Sequence, residues 1–166
     1  MSIRTTSQRL LIRSVHPQEA LAYGTVNELR ASPQELVEDI TEWYNQRATL
    51  LFLILQGHRE PSLGALSVAE GTVVGFIKIT YNGEVSFRTH PRFRGQGYMK
   101  EAVRATFTYF FHYWPHYQFE VKTRSDNAPV IRMMASYGLG NGQAGGWSGV
   151  GSLVWRFGRA AFRPIG

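Results

Sequence analysis

The hydrophobic positions of this chain change period several times, and each change marks an element. Residues 8–13 are mostly apolar, with an arginine near each end, and read as a first strand. His16-Pro17-Gln18-Glu19-Ala20 opens a helix, with Pro17 in the first turn where no N–H is needed; helical signals continue unevenly to about Arg30. Ser32-Pro33-Gln34-Glu35 is a second helix start, with a serine cap, a proline and a glutamate three residues after the cap. Leu36, Ile40, Trp43 and Tyr44 follow as its apolar stripe. Thr49–Gln56 is almost wholly apolar, as expected of a strand buried on both faces. Residues 57–64 read as a loop, and 65–70 as either a strand or an insertion. Residues 73–81 form a strand, Asn82-Gly83 signals a hairpin, and Glu84–Thr89 alternates Val85, Phe87 and Thr89 against Glu84, Ser86 and Arg88.

The second half repeats this grammar. Met99, Val103, Phe107 and Phe110 make one helical stripe in residues 98–111, and Pro115 stops that helix. Residues 117–123 alternate as a strand. Asn127 is a good helix cap with Pro129 in the first turn, and Val130, Met133, Met134 and Tyr137 share a face before Gly138 closes the helix. Residues 140–151 are rich in glycine, and Ser152–Phe157 alternates as a closing strand of a hairpin whose register the glycines leave open. No repeat, linker or low-complexity segment divides the chain, so one domain over residues 1–166 is expected.

Composition narrows the classes. Hydrophobic residues make up 43% and aromatics 13%, enough for a folded core. No apolar run reaches membrane-spanning length and no leader pattern opens the chain, so a cytoplasmic protein with no membrane partner is expected. The absence of cysteine excludes disulfides, thiolate metal sites and a cysteine nucleophile. His112 and His116 are four apart, but Pro115 between them breaks the shared helical face that a zinc pair needs; no metal site is expected. The formal charge of +6 favours a polyanionic partner, either nucleic acid or a ligand carrying several phosphates.

The stretch Arg92-Phe93-Arg94-Gly95-Gln96-Gly97-Tyr98 bears on that choice. It lies between a strand and a helix, where free amides point outward at the positive end of the helix dipole. Glycines let the backbone approach an anion and take positive φ, and Arg92 and Arg94 add charge. An ordinary glycine turn with two solvated arginines is the competing reading. No Gly-Lys-Ser/Thr follows, which excludes a nucleotide P-loop, and Lys100 stands where a dinucleotide turn has its third glycine.

The pattern Arg92-x-x-Gly95-x-Gly97, with Pro91 just ahead, resembles the acetyl-CoA-binding motif of the GNAT superfamily of N-acetyltransferases. Asn127-Ala128, Arg132 and Gly138-Leu139 resemble a second GNAT segment, Asn-x-Ala-Ser-x-Arg ending in Gly-Phe, with leucine for the phenylalanine. Ser7-x-Arg9-Leu10-x-x-Arg13 looks like the opening of the ribosomal-protein N-terminal (serine/alanine) acetyltransferase branch, with serine for its usual threonine. The resemblance covers most of residues 73–139. It implies an α/β (α+β) GNAT fold: a mixed, mostly antiparallel sheet, helices on both faces, and a V-shaped splay between the fourth and fifth strands.

It also implies a chemistry. Acetyl-CoA is the co-substrate, its phosphates held by Arg92, Arg94, Gly95, Gln96, Gly97 and Tyr98. Its arm lies along the strand edge at Phe87, Arg88 and Thr89, where a backbone N–H faces the oxyanion, and Asn127 contacts it from the side. The acceptor is a primary amine, in this branch a protein N-terminus. The first two helices shape the acceptor side, so Trp43 and Tyr44 either line that cleft or belong to the core. Glu84 is the candidate general base, with Glu120 and His90 behind it. The leaving-group acid departs from the family: Val130 and Met134 occupy the usual serine and tyrosine positions, leaving Ser125, Tyr137 or water. A catalytically weakened CoA-binding or regulatory module is therefore an alternative, as are an acetyltransferase of aminoacyl-tRNA and a nucleic-acid-binding protein using Tyr109-Phe110-Phe111-His112-Tyr113-Trp114. Monomer and homodimer are both compatible with the sequence.

Overall fold

In a computed structural model that describes residues 2–145 and 151–165, the apolar run Thr49–Gln56 (β3) lies deep in the sheet. Leu50, Leu51, Phe52, Leu53 and Ile54 are all fully buried, each such side chain contributing roughly 1.5–3 kcal/mol by its removal from water. β3 pairs antiparallel with Leu10–Ser14 (β2) on one side and with Gly71–Ile79 (β5) on the other. An outer strand, Arg4–Thr6 (β1), which periodicity does not reveal in three residues, pairs with β2. Ser67–Val68 (β4) adds two residues beside β5, so the undecided 65–70 segment holds a short strand after a 3-10 turn.

Glu84–Thr89 (β6) follows β5 through the expected hairpin, in which Gly83 takes φ +88 and its amide donates to the Thr80 carbonyl at 2.9 Å. Next come Phe119–Arg124 (β7), the short Gln143–Ala144 (β8) and Ser152–Phe157 (β9). The sheet order is β1-β2-β3-β5-β6-β7-β9-β8 among the described residues, antiparallel except for β6 and β7. The predicted closing hairpin is thus present in its two strands, while residues 146–150 of its glycine-rich connection lie outside the described residues.

Helices cover both faces. Ala20–Val26 (α1) and Pro33–Asn45 (α2) lie on the side to which β5 sends Phe76 and Lys78: Tyr23 meets Phe76 edge-on at 5.5 Å, and Lys78 Nζ is 3.6 Å from the Trp43 ring. Tyr98–Tyr113 (α3) and Ala128–Ser136 (α4) lie on the other side, where Gly75 leaves room for Met99 and where Phe107 stacks 4.4 Å from Phe119 of β7. α1 ends at Val26 rather than near Arg30, because Asn27 caps it and Glu28 turns the chain at φ +54.

Arg13 is buried and clamped by two carboxylates, its Nη2 2.6 Å from Glu19 and its Nε 2.7 Å from Glu70. Those hydrogen bonds hold the Glu70 carboxyl down at about 2. A buried guanidinium without such partners would be strongly destabilising, so the second arginine of the Ser7-x-Arg9-Leu10-x-x-Arg13 pattern is a structural strut.

Candidate active site

β6 and β7 run parallel, but only Glu84 with Glu120 and Val85 with Val121 are paired. Each strand is fully paired on its outer side, β6 with β5 and β7 with β9. The twist of the sheet then draws the two apart. The gap is a cleft of about 360 Å³ lined by Val85, Ser86 and Phe87 from β6, Lys122 and Thr123 from β7, and Asn127 and Val130 from α4. It is the expected splay, between the fourth and fifth of the long strands.

The chain leaves β6 at the open end of this V and turns through Pro91–Phe93 into α3. Phe93 is buried and anchors the turn, whereas residues 94–97 are exposed. Gly95 and Gly97 take φ +76 and +80, a conformation that favours glycine. A Cβ on Gly95 would meet nothing within 4 Å, and one on Gly97 would come 3.3 Å from Arg9 Nη2. No side chain caps α3, and among the described residues the amides of Gly95, Gln96, Gly97, Tyr98 and Met99 make no hydrogen bond. Exposed amides at an uncapped helix start are available to an anion.

The turn is braced from a direction that sequence reading misses. Glu101, on the first turn of α3, accepts hydrogen bonds from the Ser7 hydroxyl, from Arg9 N at 2.7 Å and from Arg9 Nε at 2.8 Å. Arg9 also donates to the Gln96 carbonyl at 3.0 Å and lies 4.4 Å above the Tyr98 ring. Burial pushes the Glu101 carboxyl up, but the bonds from Ser7 and Arg9 outweigh it and leave the group below its ordinary value. The Ser7 and Arg9 positions of the opening motif thus hold the glycine turn in place. The only signal for this in the sequence is that motif.

The other expected residues divide. Phe87 and Asn127 line the cleft; Asn127 Oδ1 accepts from Val130 N at 3.4 Å while its amide donates to Thr123 Oγ1 at 2.9 Å, so it both caps α4 and ties it to β7. Arg88 points away and pairs with Glu28 at 2.9 Å. Thr89 gives its carbonyl to Arg94 Nε at 3.2 Å, and Arg92 pairs with Glu60 at 3.2 Å. Glu84 lies at the vertex, exposed, and among the described residues none hydrogen-bonds its carboxylate.

Glu120, paired in register with Glu84, is held by Arg156 at 2.6 Å and Lys122 at 3.2 Å, which keeps its carboxyl below the ordinary range and makes it a poor proton acceptor at neutral pH. Burial lowers His90, whose Nδ1 accepts from Arg92 N at 3.2 Å to close the turn.

The two acid candidates are not brought to the cleft. Ser125 is exposed beyond the end of β7 and does not line it. Tyr137 is buried between α3 and α4, its hydroxyl donating to the Lys100 carbonyl and its ring packed on Phe107 and Phe162; burial raises its pKa further. Its place in the apolar stripe of α4 keeps it in the core. Trp43 is half-buried under Lys78, and Tyr44 donates its hydroxyl to the Val15 carbonyl at 2.5 Å; neither lines the cleft between β6 and β7, and Trp43 lines a separate hollow with Thr80 and Tyr81. Among the described residues no group of three or more His, Cys, Asp or Glu is placed to hold a metal ion, and no helix is long and apolar enough to cross a membrane.

Residues 9–140 match a family model described as the acetyltransferase (GNAT) domain. Among solved structures, an acetyltransferase (GNAT family) from Bacillus anthracis superposes with a TM-score of 0.64 at 18% identity, covering 94% of this chain and 98% of that one. A ribosomal-protein-S5-alanine acetyltransferase from Vibrio fischeri gives 0.69 at 12% identity over 98% and 100% of the two chains. A microcin C7 self-immunity acetyltransferase in complex with acetyl-CoA and AMP gives 0.62 at 13% identity over 92% and 93%. At these identities the likeness is one of fold. No curated protein sequence matches the chain.

Proposed function

This chain belongs to the GNAT family of acetyltransferases, which use acetyl-CoA, and we propose that it carries the acetyl group to the free N-terminal amine of a protein. The observation that carries the reading is the conjunction of unpaired amides at the start of α3 with a cleft between β6 and β7 that Glu84 and Asn127 both line. Acetyl-CoA supplies an acetyl group activated as a thioester. The amides of Gly95, Gln96, Gly97 and Tyr98 receive its diphosphate, with Arg94 beside them and Arg92 recruited from Glu60.

The unpaired inner edge of β6 at Phe87, Arg88 and Thr89 receives the amide-bearing arm and turns an N–H toward the oxyanion. Asn127 steadies the opposite wall. Glu84 takes the proton of the attacking amine as the C–N bond forms and the C–S bond breaks. Neither Ser125 nor Tyr137 reaches the cleft, so water protonates the departing thiolate.

The N-terminal acceptor is supported by the Ser7, Arg9 and Arg13 opening and by the fold shared with the Vibrio fischeri protein. Release of CoA measured with acetyl-CoA and paired peptides tests it. Peptides with a free α-amine should turn over, and the same peptides blocked at the N-terminus but bearing an internal lysine should not. Turnover on lysine alone would reject the acceptor. The apolar residues Val130 and Met134 at the usual acid positions favour a second reading, a CoA-binding module, which tight binding without turnover on any peptide would select.

A further inference from the structure

The far end of α3 carries a feature that acetyl transfer does not use. Rings crowd there: Tyr109 and Tyr113 are 4.6 Å apart, and Phe110 and Trp114 5.2 Å. Phe110 is core, but Tyr113 stays 58% exposed, Trp114 36% and Tyr81, across a hollow from them, 70%. That hollow, about 610 Å³, is also lined by Arg47 and His116. Pro115 and His116 form a shared wall with a second hollow of about 940 Å³, lined further on by Arg156, Arg159 and Arg163. Among the described residues no Asp or Glu lines either hollow. Arg156 is engaged by Glu120, while Arg159 and Arg163 are exposed.

Arg47 is itself informative. It closes α2 at φ +61, where its amide bonds to Tyr44 O and the following amide to Trp43 O, a turn that glycine occupies without strain. Arg47 stands there at a cost in backbone strain, and it lines the aromatic hollow.

Charge decides the occupant. A cationic ligand would be repelled by the arginines, and a second copy of this chain would approach them carrying a net charge of +6. Single-stranded nucleic acid supplies both bases for the exposed rings and phosphates for the arginines. We propose that this end of the molecule binds single-stranded nucleic acid, with bases stacked on Trp114, Tyr113 and Tyr81 and phosphates met by Arg47, Arg159 and Arg163. The length of α3, 16 residues, places this surface roughly 24 Å from the glycine turn at 1.5 Å per residue, so the two sites are separate and the inference does not rest on the acyl-transfer reading.

The test is anisotropy of a labelled oligouridylate of about twelve nucleotides, within the usual ~4–16-nucleotide span of single-strand sites. Affinity should fall with salt with a log–log slope of about −2, for three phosphates at about −0.7 each. Trp114→Ala and, independently, Tyr81→Ala at the largely exposed Tyr81 should each weaken binding about tenfold, and Arg159→Ser with Arg163→Ser should flatten the slope. Saturating acetyl-CoA should change nothing. No binding at low salt, binding indifferent to both aromatic variants, displacement by acetyl-CoA, equal competition by polyglutamate, or a wild-type dimer that Tyr81→Ala converts to monomer would each overturn the proposal.

Discussion

α2 and α3 meet the same physical problem at their first turns and resolve it in opposite ways. Every helix begins with amides that have no partner inside it. In α2, Ser32 accepts from the Glu35 amide at 3.2 Å and Glu35 accepts from the Ser32 amide at 3.0 Å, so the start is closed upon itself. In α3 the cap position is Gly97, which has no side chain to offer, and the first-turn acid Glu101 faces away to hold Ser7 and Arg9. α4 lies between the two: Asn127 caps it while also facing the cleft. A start that stabilises its own helix has nothing left for a ligand. One that is stiffened from outside keeps its amides available, and α3 is built that way.

The largest test of this contrast is Gly97→Glu. A side chain at φ +80 is strained, meets Arg9 and puts a carboxylate where the diphosphate is proposed to bind; acetyl-CoA affinity measured by calorimetry should drop by about a hundredfold or more. Unchanged affinity would detach the turn from the phosphates. Arg94→Ala should weaken acetyl-CoA about tenfold, as expected for one charge-assisted contact, with little effect on urea unfolding.

Ser32→Ala should do the reverse, lowering stability in urea by about 1 kcal/mol with KM for acetyl-CoA unchanged; a raised KM would mean that the two helix starts are coupled. Acid separates them more subtly. Bonds from Ser32 hold Glu35 below its ordinary 4.5, and Ser7 and Arg9 hold Glu101 below its own despite burial. Carboxylates so depressed stabilise the fold above their unfolded value, and the contribution is lost as pH falls through the lowered one. Protonating Glu101 also releases Arg9 from the glycine turn, so acetyl-CoA affinity should decline a few-fold (about three, or roughly 0.6 kcal/mol) over that acid range. Glu101→Gln should flatten this decline, and Glu35→Gln should leave it intact.

Much of this was legible in the chain. Thr49–Gln56 and Glu84–Thr89 match the observed strands, because burial on both faces and strict alternation leave little choice of conformation. The Ser32 capping box and the Asn127 cap were visible because caps are local chemistry. β1 was not, since three residues carry no period. The chain itself determined the elements, the glycine turn and its missing cap, since these depend on neighbours within a few residues. Tertiary structure alone decided that Glu101 serves Arg9 rather than its own helix, that the Tyr137 hydroxyl goes to the Lys100 carbonyl instead of the cleft, and that the expected splay of β6 and β7 begins after two pairs. Each of those depends on which distant surface a side chain or strand edge meets once the sheet twists and the helices pack, and no spacing along one chain encodes that.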